Sequence, residues 1–84
     1  MDKVYVLTIE DVDDGISLTN EIEVYADYNK AKQKFDLIVK EYLDHNDFSN
    51  YVINKSERDF SVYREYEYTR HHIEIHIIEN NIII

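Results

Sequence analysis

Lys3-Val-Tyr-Val-Leu-Thr-Ile-Glu10 decides the fold of this chain. Its β-branched and aromatic residues favour extended backbone, and alternation puts Val4 and Val6 on one face and Tyr5, Leu7 and Ile9 on the other. A strand apolar on both faces belongs inside a sheet rather than at its edge. The next segment, Asp11-Val-Asp-Asp-Gly15, is polar, and Asp14-Gly15 suits the positive φ of a tight hairpin turn. Residues 19–26 then alternate again, with Ile22, Val24 and Ala26 on one face and Glu21, Glu23 and Tyr25 on the other. The expectation is a β-hairpin.

Asp27 is a good N-cap for a helix running from Tyr28 to about Asp44. Ala31, Phe35, Ile38 and Tyr42 fall at steps of four, three and four, which is one helical stripe, with Val39 and Leu43 beside it. Lys30, Lys32, Lys34 and Lys40 lie mainly outside that stripe, and Asp36 stands one turn before Lys40. Residues 45–50 are turn chemistry. Residues 51–56 read as a short strand, whereas 60–68 fit a strand or an aromatic-rich loop equally well. His72 to Glu79 alternates strictly and predicts a last strand, Asn80-Asn81 can turn, and Ile82-Ile83-Ile84 either adds a strand or frays.

The order β-β-α-β-β predicts an α+β fold, a small two-layer sandwich of one antiparallel sheet with one helix packed on one face. One helix covers one face, so the apolar residues of the first strand on the other face need a second cover. Pairing two copies is the commonest such cover, and a homodimer is expected.

Eighty-four residues make a single domain spanning 1–84. There are 18 acidic and 9 basic side chains, for a net charge of −9, and 44% of residues are apolar. That apolar content is too high for a disordered acidic chain. The negative charge opposes direct nucleic-acid binding and docking on an anionic membrane. With no Cys there is no disulfide or thiolate metal site, and one Gly cannot build a phosphate loop. The opening residues lack a secretory signal, and no apolar run approaches a membrane span, so a cytoplasmic protein is expected.

Chemistry is sparse. His72, Glu74 and His76 share one strand face at steps of about 6–7 Å, the residue types of a zinc site. The same pattern, alternating with Ile73, Ile75 and Ile77, is also what a half-buried strand looks like. The polar-face reading is preferred, with no metal and no cofactor. The acids around Gly15 do not fit a calcium loop, because Ile16 and Ile22 stand where Gly and Glu are required. No nucleophile elbow or acid/base spacing is present, so the chain reads as non-enzymatic.

Charge placement is more informative. Residues 1–26 carry net −6, residues 27–45 are neutral and residues 46–84 carry −3. Eight tyrosines accompany the acids, and tyrosine is enriched in interfaces. The candidate partner-binding residues are therefore Glu10, Asp11, Asp13, Asp14, Glu21, Glu23, Tyr63, Tyr66 and Tyr68, facing a protein with a basic surface.

The pieces Val4-Tyr5-Val6-Leu7, Glu23-Val24-Tyr25, Lys30-Ala31-Lys32, Tyr63 to Tyr68 and His72-Ile73-Glu74-Ile75 give the chain a layout that resembles small β-β-α-β-β proteins of low-GC Gram-positive bacteria and their phages and prophages. Those proteins have no assigned activity, so the resemblance implies an architecture and no site. In size and charge the chain is also similar to acidic phage proteins that counter host defence by mimicking nucleic acid. The expected function is a small acidic protein-binding module. The alternatives are a nucleic-acid mimic and a metal-dependent enzyme using the His-x-Glu-x-His strand.

Overall fold

In the computed structural model, which describes residues 3–66 and 69–82, β1 (Lys3–Asp13) lies between two partners. On one side β2 (Ile16–Tyr25) returns from the hairpin, and on the other β5 (Thr69–Asn81) pairs along the whole of β1, from Lys3 opposite Asn81 to Asp13 opposite His71. Between them in sequence come α1 (Tyr28–His45), β3 (Val52–Lys55) and β4 (Asp59–Tyr66). The sheet order is β2-β1-β5-β4-β3, with every neighbouring pair antiparallel. The fold is α+β, with one helix on one face of a five-stranded sheet. The helix carries the chain from the β2 edge across that face to the β3 edge.

The turn is Asp14–Gly15, with φ of 52° and 79°. Positive φ at both positions matches the right-handed twist of the flanking strands. The turn is at the expected dipeptide, and β1 runs past its expected end at Glu10 because it remains in the ladder through Asp13. The Asp14 N–H donates to the Arg70 carbonyl at 2.7 Å, and the Asp14 carboxylate accepts from the Arg70 N–H at 2.9 Å. The hairpin tip is thereby tied to the start of β5.

α1 begins where expected, with the Asp27 carboxylate accepting from the Asn29 N–H at 2.8 Å. Ala31, Phe35, Ile38 and Val39 are buried against the sheet. They meet Leu7 and Ile9 of β1, Phe60 and Val62 of β4, and Ile73, Ile75 and Ile77 of β5. Cross-strand rows such as Ile9–Ile75–Phe60 place these side chains on one face. On the helix surface the ion pairs are Lys32–Asp36 and Lys40–Asp44, each at 2.9 Å, rather than Asp36–Lys40.

Three points that the sequence left open are decided by the pairing. Residues 52–55 and 59–66 are both strands, which settles the middle of the chain. Asn80 and Asn81 do not turn, since opposite Val4 and Lys3 they extend β5. The apolar face of β2 looks away from the helix. Val6 opposite Val24 and Leu7 opposite Glu23 put Ile22 and Val24 with Val4 and Val6, and Glu21 and Glu23 on the helix side. Ile83 and Ile84 lie outside the described residues.

Candidate functional site

The acids assigned to a partner surface separate into three environments. Asp11 is only 8% exposed. Its Oδ1 lies 2.8 Å from His71 Nε2, and His71 Nδ1 lies 2.9 Å from the Tyr51 hydroxyl. Tyr42 reaches Asp11 Oδ2 at 3.5 Å, and burial followed by this carboxylate raises the Tyr42 phenol above its ordinary pKa. The Arg64 guanidinium stacks 5.0 Å from the Tyr51 ring. Asp11 thus joins a polar network between the layers instead of a solvated hairpin tip. Its partners are 31 to 60 residues away in sequence, so no local pattern announces them. Asp13 is half-buried in register with His71, and Asp14 is engaged in the turn.

Glu21 and Glu23 lie on β2 on the helix side. Tyr25 donates to Glu23, and that bond chiefly raises the Tyr25 pKa because it favours the neutral phenol. Tyr63 donates to Glu65 in the same way, with the same effect. Both pairs are two residues apart on one strand, so period-two alternation makes them legible. A cleft of about 380 Å³ runs between α1 and β2, lined by Thr19, Glu21, Lys34 and Tyr42. Tyr68 and the side chain of Tyr66 lie outside the described residues.

The open face holds the remaining groups. Along it run an apolar end of Val4, Val6, Ile22, Val24 and Ile78, a polar middle, and Tyr63 with Val52 on the far strands. In the middle, Glu10 lies directly opposite Glu74, and His72 Nε2 is 3.5 Å from Glu10 Oε1. His76 Nδ1 lies 2.7 Å from Asp59 Oδ1 on β4, which holds that carboxyl below the usual aspartate range.

His72, Glu74 and His76 do share a face, but they do not converge as a trio. Four residues of strand separate the two imidazoles by about 13 Å, and His76 turns to Asp59. The residue that joins His72 and Glu74 is Glu10, from the neighbouring strand, with all three donor atoms within 4.8 Å of one another. Register between β1 and β5 creates that juxtaposition, and no spacing within either strand shows it. Asp59 was also invisible as a histidine partner, because it lies 17 residues from His76.

Among the described residues no helix is long and apolar enough to cross a membrane. Set against protein-family models, curated proteins and solved structures, the chain matches none of them.

Proposed function

We propose that the protein is a non-enzymatic protein-binding module that takes an extended segment of a basic partner along the outer edge of β2. The observation carrying this reading is where the exposed apolar side chains lie. Of the described large apolar side chains at least 60% exposed, Ile16, Leu18, Ile22 and Val24 belong to β2, and only Val52 lies elsewhere, on β3. β2 is ten residues long and outermost in the sheet, whereas the opposite edge, β3, has four residues. A long edge of this kind is a template for a further strand, and β2 has no Lys or Pro to obstruct pairing.

Glu21 and Glu23 choose among occupants. Side chains directly opposite in an antiparallel pair interact, and like charges there repel. Pairing two copies with Ile22 on Ile22 sets Glu21 against Glu23 twice. Pairing Ile22 on Val24 sets Glu23 against its own copy. A partner strand that alternates aliphatic residues with Lys or Arg avoids both conflicts. Its aliphatics lie beside Ile22 and Val24, and its cations lie beside the glutamates.

The test is an NMR titration with two short peptides, one alternating valine and lysine, the other valine and glutamate. The first should shift and protect the β2 amides, with affinity that falls as salt is added. The second should not bind. Ile22→Lys with Val24→Lys should abolish binding and leave the melting temperature nearly unchanged, because both side chains are exposed. A valine–lysine peptide that perturbs no β2 amide removes this reading.

A further inference from the structure

Glu10 and Glu74 occupy directly opposed positions on the open face, and like charges so placed destabilise a sheet. A cation between them would reverse the sign of that interaction. His72 supplies the third side of the gap, 3.5 Å from Glu10. This is long for a charge-assisted hydrogen bond, typically about 2.7–2.9 Å. It is close to the separation of two ligands on a tetrahedral zinc, about 3.4 Å for bonds near 2.0–2.1 Å. Glu74 completes a set of three donor atoms within 4.8 Å, and both glutamate side chains are free to close by rotation because they are about half exposed.

Another imidazole lies beside Glu74. His76 Nδ1 lies 2.7 Å from Asp59 Oδ1, and its Nε2 lies 3.9 Å from Glu74 Oε1.

We propose that Glu10, His72 and Glu74 bind a divalent transition-metal ion of the zinc class, with water completing the coordination shell. Two carboxylates and one imidazole make a mixed oxygen and nitrogen set suited to zinc. Binding needs ionised glutamates and a neutral imidazole, so affinity falls as the solution is acidified.

Zinc titration of tag-free protein by calorimetry tests the site. One ion per chain should bind with micromolar affinity, and Glu10→Gln and His72→Asn should each weaken it roughly tenfold or more. His45→Asn, on the exposed end of α1, should leave it unchanged. In the unmutated protein, zinc should shift the His72 ring nitrogens and not those of His71, a readout that needs no variant to fold. No binding at millimolar zinc, one ion per two chains, or an unperturbed His72 ring would each overturn the proposal.

Discussion

Phe35 is where the two layers meet most fully. Its ring is wholly buried, with Lys32 Nζ 4.8 Å above it. Phe35→Ala should cost about 3–5 kcal/mol, measured by urea unfolding, and that is a large part of the stability of so small a domain. A variant that unfolds at the parent's midpoint would show the ring to be dispensable. Phe35 was legible because helical period alone selects it. Asp11 was not, since its burial depends on His71 arriving from the other end of the chain. Asp11→Ala leaves the His71 imidazole without its carboxylate and should destabilise by about 1–3 kcal/mol. Asp59 titrates on the outside of the molecule. The hydrogen bond from His76 depresses its folded pKa below the unfolded value, so the pair stabilises above the ordinary aspartate range and loses that contribution as pH falls through the depressed value. The parent should therefore be slightly more stable than Asp59→Asn at neutral pH, with the difference vanishing in strong acid. An acid-independent difference between the two denaturation curves would contradict this.

At the level of elements, the ends of α1 and of the first hairpin follow local chemistry and were readable without the fold. Asp27→Ala removes the cap and should cost about 1 kcal/mol. Gly15→Ala meets no atom within 4 Å, but it forces an L side chain to φ of +79°. The expected loss is again about 1 kcal/mol, from backbone strain alone, by the same unfolding measurement. Alternation in β2 was equally plain, yet it left open which face the helix would take. The choice came from pairing. Tyr25 opposite Tyr5 and Glu23 opposite Leu7 bring the charged face of β2 to the helix side, at the rim where water reaches it. Ile22 and Val24 are left on the open face as a result. β5 outgrew its expected ends because β1 offered a partner for every residue from 71 to 81.

For the whole molecule, the consequential fact is that among the described residues one sheet face has no second layer. Two copies meeting there would bring together Val4, Val6, Ile22, Val24 and Ile78, and so avoid the opposed glutamates of the β2 edge. The opposing term is the charge of −9 on each chain, which added salt screens. Sedimentation equilibrium should show self-association at micromolar concentration that strengthens with salt, and Ile78→Lys should return it to single chains. A parent that sediments as one chain throughout that range would end the expectation of a dimer.

By itself the sequence determined what depends on neighbours in the chain. The α1 stripe, the Asp27 cap, the Asp14–Gly15 turn and the two-sided apolar character of β1 are all consequences of period and local backbone preference. They suffice for an α+β fold with one helix on an antiparallel sheet. Only the tertiary structure decided which groups meet across strands, because register between β1 and β5 couples residues 58 to 78 positions apart. That register put Asp11 inside with His71 and set Glu10 beside His72 and Glu74. It also placed β5, rather than β2, on the inner side of β1, which left the apolar β2 at the edge.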